Sequence, residues 1–336
     1  MSALVFANKF SGAKLAGDIY RGSVFHELHK RGITHEIVHC HDELGVIRSE
    51  RVQRLMQSRA WGLMAVIGGD GTVNETVNAM ADAGIAGKTP LLVFPAGKMN
   101  SLASSVGMSS VDAALETLKA FPSSLRTTTM PLWQLTEPLK GRTTYFHGYY
   151  GIGYHANVVR DAARLEAWWA GFSLLPRLYS PHLYTFARQL ALAKSARMKV
   201  WYESAQGVDM ELSGEYCYIH ATQLKLNGVR NIVSPRAGLD GSNMLWVTLA
   251  PSMGRKRMRE FARLAPLGKH VDMEGVRYFA AKSLSIEVQA PDPEGGEVGD
   301  TAAMLDGFPL YPAESMGIVT LKLSPLKVQV VCPVNN

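Results

Sequence analysis

Two glycine-bearing segments hold the residues best suited to chemistry. Gly68-Gly69-Asp70-Gly71-Thr72-Val73-Asn74-Glu75 follows a short apolar run, residues 63–67, and opens a helix whose Val73, Val77 and Met80 share one apolar face. Thr72 and Glu75 stand at capping-box spacing, which predicts the helix start there. Glycine lets backbone approach a ligand closely, and the free N–H groups and dipole at a helix N-terminus attract phosphate. Asp70 in such a loop is an anion beside phosphates, costly unless it binds Mg2+ or accepts a proton, so it is the expected metal ligand and catalytic group. Gly97-Lys98-Met99-Asn100 forms a second corner of the same kind. Parallel strands of one sheet would bring both corners to one edge, where a single nucleotide polyphosphate could touch both.

Other patterns imitate known chemistry and fail on spacing. His35-Glu36-Ile37-Val38-His39 matches the zinc-peptidase motif, but it follows a helix stop at Gly32 and alternates like a strand. On a strand the two rings would stand roughly 13 Å apart, too far to share one zinc. Gly151-x-Gly153-x-x-Ala156 mimics a dinucleotide fingerprint between antiparallel flanks, without a suitably spaced acid after it. Gly87-Lys88-Thr89 is no P-loop, since Asp82 takes the place of the first glycine and Pro90 follows at once.

The elements that position the two corners change character along the chain. Strands over residues 3–7, 33–40, 63–67 and 90–94 alternate with helices over 18–31 and 49–59 and with a helical pattern of Val111, Ala114, Leu115 and Leu118. This predicts an α/β N-terminal domain with a mostly parallel, Rossmann-like sheet and ligand loops at its strand ends. Beyond Met130, short alternating runs dominate, at 143–150, 199–203, 215–222, 244–249, 284–289, 318–323 and 326–332. They predict a C-terminal antiparallel β-sandwich domain with a helical insert over 158–196. The expected domains are residues 1–129 and residues 130–336, with a flexible loop over 292–300.

A chain of 336 residues, 47% apolar and 19% charged, has room for two cores and is neither disordered, collagenous nor stapled by disulfides. The three cysteines, Cys40, Cys217 and Cys332, are far apart and odd in number, as expected of reduced thiols inside a cell. The first residues lack the basic flank of a signal peptide, and no run reaches the roughly 18 apolar residues of a membrane span. Net charge is +6, concentrated in two stretches: residues 160–199 hold seven Lys/Arg against two acids, and residues 251–282 hold eight against three. Residues 145–186 also contain 11 of the 29 aromatics. A basic, aromatic-rich segment suits a membrane surface. Nucleic acid is not an expected partner, because RRM, KH and zinc-finger signatures are lacking.

In this order along the chain, Asn8-Lys9-Phe10-Ser11-Gly12, the Gly-Gly-Asp-Gly-Thr segment and Phe94-Pro95-Ala96-Gly97-Lys98-Met99-Asn100-Ser101-Leu102-Ala103 resemble the catalytic domain of diacylglycerol kinases. That superfamily includes sphingosine, ceramide and bacterial lipid kinases. Gly151-Ile152-Gly153-Tyr154-His155-Ala156, Ser234-Pro235-Arg236-Ala237-Gly238-Leu239-Asp240-Gly241 and Leu305-Asp306-Gly307 extend the likeness over nearly the whole chain.

The resemblance implies a nucleotide-binding domain over 1–129, a lipid-substrate domain over 130–336, and ATP with Mg2+ in the cleft between them. The implied activity is transfer of the γ-phosphoryl group of ATP to the hydroxyl of a diacylglycerol-like or sphingoid lipid. Asn8, Ser11, Gly12, Gly69, Gly71, Thr72, Gly97, Lys98, Asn100 and Arg164 would lie against the nucleotide, and Asp70 and Asp306 would be catalytic. The implied setting is cytoplasmic and peripheral to the membrane, with a lipid alcohol and the membrane surface as partners and room for a homodimer. Three departures stand out: Lys9 in place of Pro, Lys98-Met99 in place of Thr or Ser and Gly, and Phe308 in place of the Glu that follows Asp-Gly. Phe308 and Lys98 motivate the alternative of a catalytically impaired, lipid- or nucleotide-binding pseudokinase. An NAD-kinase-type enzyme shares the glycine motif, and the aromatic, basic insert argues against it.

Overall fold

The computed structural model describes residues 1–11, 15–40, 46–124, 126–137, 142–169, 181–192, 194–289 and 301–333. β1 (Ser2–Asn8) lies between two parallel neighbours, β2 (Thr34–Cys40) and β3 (Leu63–Gly68), and β3 pairs in parallel with β4 (Leu91–Pro95). The Leu-Met-Ala-Val-Ile run of β3 is wholly buried, as expected of a parallel strand with helices on both faces. Order β2-β1-β3-β4 reverses direction between β1 and β3. At such a switch point the loops leaving the strands part to opposite faces and leave a crevice outside their carboxyl ends. Both glycine corners leave the sheet at that edge.

The helices of this half are α1 (Ala16–Ile19) and α2 (Phe25–Lys30), joined by a π-helical turn at Tyr20–Val24, then α3 (Glu50–Gln57), α4 (Asp70–Asp82), α5 (Ser101–Ser105) and α6 (Val111–Ala120). Ser49 and Ser110 cap α3 and α6 by accepting from the Val52 and Ala113 N–H groups. The helix after the first glycine corner starts at Asp70, two residues before the capping-box expectation. Gly69 supplies the extended cap, and the Thr72 hydroxyl is instead engaged by Asn8. His35 and His39 lie on β2, the strand expected for them.

The second half is antiparallel. Its strands are β5 (Arg126–Glu137), β6 (Arg142–Phe146), β7 (Tyr149–Gly153), β8 (Ala196–Ser204), β9 (Asp209–Thr222), β10 (Leu245–Pro251), β11 (Arg277–Val288), β12 (Ala302–Leu305), β13 (Phe308–Pro312) and β14 (Ile318–Cys332). They enclose a core that includes Trp133, Ile219, Val247, Leu284 and Leu321. The helical insert contributes α7 (Tyr154–Trp169) and α8 (Pro181–Leu192), and a later helix, α9 (Arg255–Leu264), packs beside α8. Met258 and Phe261 of α9 join Tyr154, Val158 and Tyr218 in a separate apolar layer.

Two expected strands divide differently. The run 143–150 breaks at His147-Gly148, because amides of that turn wrap a buried carboxylate described below. The runs 318–323 and 326–332 are one strand, β14, whose register shifts between Leu323 and Lys327 around Pro325. The far end of β14 returns to the first half: Val330 pairs with Leu91 of β4, and Val328, Val330 and Val331 enter the same core as Phe6 and Phe94. The loop expected over 292–300 lies outside the described residues, as does Gly12.

Candidate functional site

The two glycine corners meet. A Cβ added to Gly97 would stand 2.3 Å from the Gly69 Cα, and one added to Gly69 would stand 3.0 Å from the Gly97 Cα. Backbone on both sides leaves nothing that could yield, so the close approach requires glycine at each place. Asn100 fixes the second corner from within. Its Oδ1 accepts from the Gly97 N–H at 2.8 Å and its Nδ2 donates to the Gly97 carbonyl at 2.8 Å. This clasp holds Asn100 at φ 56°, a left-handed conformation that asparagine tolerates better than most residues.

Together they form one wall of a cavity of ≈240 Å³, lined from the first half by Asn8, Ser11, Gly69, Asp70, Gly71, Thr72, Gly97, Lys98 and Met99. The second half supplies Tyr149, Asp306, Gly307 and Phe308. Asn8 and Thr72 are tied together, Asn8 Nδ2 donating to Thr72 Oγ1 at 2.9 Å. Asn100 acts on the cavity through Gly97, and Arg164 is an exposed residue of α7 outside the cavity lining.

Asp70 is buried, and its carboxylate is turned onto α5. Oδ2 accepts from the Ser101 N–H and hydroxyl, both at 2.9 Å, and Oδ1 accepts a longer bond of 3.3 Å from the Leu102 N–H. It thereby ties the first corner to the helix that leaves the second. Burial pushes its pKa above the usual carboxylate range, and the Ser101 amide and His147 offset this only in part. A carboxylate offers about four lone-pair positions, so Oδ1 keeps acceptor capacity.

Asp306 differs from its expected part in the chemistry. It is fully buried at φ 46°, and its oxygens accept from the backbone N–H groups of His147 (3.0 Å), Gly148 (2.9 Å) and Tyr149 (2.8 Å) and from Asn74 Nδ2 (2.7 Å). The His147 ring adds an ion pair, Nδ1 to Oδ2 at 2.9 Å. Burial opposes the Asp306 charge, but His147 and the turn amides outweigh it and hold the carboxyl below its ordinary range. With every lone-pair position taken, Asp306 is a positioning group. It joins α4, the β6–β7 turn and the β12–β13 turn around the cavity.

Phe308 packs its ring on Gly71, where an added Cβ would lie 2.5 Å from ring carbons. A ring thus stands where the resemblance expects a carboxylate. Among the described residues no group of three His, Cys, Asp or Glu side chains is arranged to hold a metal ion. Asp306 is committed to the turn amides, whereas Asp70, tied to α5 mainly through Oδ2, keeps acceptor capacity at Oδ1. Sequence reasoning missed Tyr149, His147, Asn74 and the Asp70–Ser101 tie. Asn74 and Asn78 did leave a signal, two amides four residues apart within the buried side of a helix.

Residues 2–130 match the diacylglycerol kinase catalytic domain. A search among curated proteins gave no match. Among solved structures, a diacylglycerol kinase from Bacillus anthracis strain Sterne superposes with TM-score 0.60 at 16% identity, covering 99% of this chain and 97% of that one. Another from the same organism, provisionally assigned as a diacylglycerol kinase, gives TM-score 0.66 at 18% identity, with 99% and 97% covered. Yeast NADH kinase complexed with NADH superposes with TM-score 0.55 at 10% identity, covering all of this chain and 84% of that one. At these identities the likeness is one of fold. The glycine corners lie within the matched residues. No described helix is long and apolar enough to cross a membrane.

Proposed function

We propose that the protein is an ATP-dependent lipid kinase that passes the γ-phosphoryl group of ATP to the hydroxyl of a lipid alcohol. The observation that carries this reading is the back-to-back contact of Gly69 and Gly97, with the N-terminus of α4 and Lys98 at one cavity. Phosphoryl transfer has a loose transition state, so fixed placement and charge neutralisation do most of the catalysis. The corners would hold the triphosphate, with Lys98 as a point charge. Magnesium would enter as part of the substrate Mg·ATP, keeping waters and phosphate oxygens as ligands, since among the described residues no group of three His, Cys, Asp or Glu side chains cages it. The acceptor oxygen bonds to the γ-phosphorus, the bond from that phosphorus to the β–γ bridging oxygen breaks, ADP leaves, and the acceptor proton passes to Asp70. Asp70 suits this step because its pKa is raised and Oδ1 has capacity left.

The sequence likeness and the basic, aromatic insert support a lipid acceptor and a peripheral membrane setting. The NADH kinase likeness motivates a second reading, a soluble nucleotide kinase acting on a dinucleotide. Radiolabelled ATP with lipid alcohols in mixed micelles, alongside a coupled assay for dinucleotide phosphorylation, separates them. Labelled lipid that disappears in Asp70→Asn is the expected result. Phosphorylated dinucleotide without labelled lipid favours the second reading, and nucleotide binding with no product of either kind shows a pseudokinase.

A further inference from the structure

Asp70 reaches the second half of the molecule through a short relay of buried side chains. The Ser101 hydroxyl, 2.9 Å from Asp70 Oδ2, also lies 2.8 Å from Asn227 Oδ1. Ser101 and Asn227 stand 126 positions apart in sequence, so only the fold brings them together. Asn227 belongs to a tight turn over residues 226–232. A bridge between Leu226 and Ile232 closes it, and the Asn227 N–H donates to the Asn231 carbonyl at 2.9 Å.

That turn is held between the second glycine corner and the end of α9. Gly228 adopts φ 88°, and a Cβ there would stand 3.2 Å from the Met99 carbonyl oxygen, so the turn rests on the corner itself. On the other side the Ile232 N–H donates at 2.9 Å to the carbonyl of Pro266, just past α9. A Cβ on Gly268 would stand 2.9 Å from the Ile232 side chain, which confines the turn from there as well.

The Ser101 hydroxyl has one proton and faces two oxygens. An ionised carboxylate is the stronger acceptor, so that proton goes to Asp70 Oδ2. A half turn of the Asn227 amide then presents its NH2 to the Ser101 oxygen, which has lone pairs to accept it. Every donor in the relay has an acceptor, and each bond polarises the next toward the carboxylate. A side chain without hydrogen-bonding atoms at 227 would free the hydroxyl to turn to neighbouring backbone.

We propose that Asn227 is a positioning residue for Asp70: through Ser101 it holds Oδ2 on α5 and so keeps Oδ1 available to the acceptor proton. The proposal rests on the lipid-kinase reading and adds that the second half of the molecule aims the base.

The test is a double-mutant cycle on the full chain, with Asn227→Leu, Ser101→Ala and both together, each checked for folding by circular dichroism. Phosphorylation of a lipid alcohol in mixed micelles is followed at steady state, and exchange of the Ser101 and Leu102 amides is followed by NMR without ATP. Asn227→Leu should lower kcat at least about tenfold and leave the KM for ATP within about threefold of native. Ser101→Ala should act alike, and the double variant should fall within about twofold of the slower single one, because both changes break one relay. The two amides, which donate to Asp70, should exchange at least about threefold faster in Asn227→Leu. Where Asn227→Leu does not fold, Asn227→Ala takes its place in the cycle. Native kcat in the 227 variant overturns the proposal, as does a loss carried by KM alone or one that multiplies in the double variant. If the native chain makes no phosphorylated lipid, the kinase reading falls and amide exchange decides the rest. Faster exchange at Ser101 and Leu102 then upholds the tie of Asn227 to Asp70, and unchanged exchange overturns it.

Discussion

Asp306 and His147 form a fully buried ion pair, and removing one partner strands the other. Asp306→Asn should therefore cost about 3–5 kcal/mol, read as a lowered urea midpoint. Folding raises the pKa of His147, because Asp306 outweighs the burial that opposes its charge. Its stabilisation is complete below about pH 6.5, the unfolded value, and is lost as pH rises through the folded value. Asp306, held low, contributes stability present above about pH 3.9 and lost as pH falls through its folded value. The melting temperature should decline on the alkaline side in the native chain and lose that decline in His147→Gln. A flat alkaline limb in the native protein would contradict the pair. Phe308 on Gly71 predicts a coupled effect: Gly71→Ala should destabilise by about 1–3 kcal/mol through overpacking, and Phe308→Ala should recover most of it in the double variant. Additive losses in denaturant titrations would show that the ring is not what confines Gly71.

α4 carries the cavity's ties to the second half. Asn78 donates to the Tyr145 carbonyl at 2.7 Å and accepts from the Tyr145 N–H at 2.9 Å, and Asn74 donates to the same carbonyl at 3.0 Å. Asn78→Ala leaves the Tyr145 N–H with no acceptor and should cost about 1–3 kcal/mol in unfolding free energy. A neutral result would mean that water or a shifted β6 satisfies these groups. Element order was legible from sequence where apolar runs met glycine, as at residues 63–71, because a buried parallel strand and its exit loop leave a compositional edge. The start of α4 was not, because Gly69 caps a helix without a side chain while Thr72 is drawn to Asn8 through a long-range contact. The role of Asp306 was hidden for the same reason: its partners lie about 160 and 230 residues away in sequence, and spacing cannot report them.

Over the whole molecule, alternation of period two announced the antiparallel half, while the return of β14 to the first core left no local signal. Val328, Val330 and Val331 read as any half-buried strand. Charge balance pointed to the insert but could not show which histidines are shielded. His220 and His270 are buried without hydrogen-bond partners on their rings, and burial pushes the His270 pKa down to about 4. Both folded-state values are lowered, so the unfolded chain binds more protons below about pH 6.5 and stability falls as the solution is acidified through that range. The melting temperature should drop between neutral pH and about pH 5, and drop less in His270→Phe, whose ring can keep the edge contact with Phe261. An identical acid limb in the variant would place the proton uptake elsewhere.

The claim beneath the functional reading is that the Gly69 and Gly97 corners jointly hold a triphosphate. Isothermal titration of a non-hydrolysable ATP analogue with Mg2+ into the native chain and into folded Gly97→Ala, its fold checked by circular dichroism, tests this most directly. A Cβ at residue 97 drives the corners apart, so the account predicts saturable binding to the native chain and at least about tenfold weaker binding to the variant. Equal affinity in both proteins, or no binding by the native chain, would contradict it.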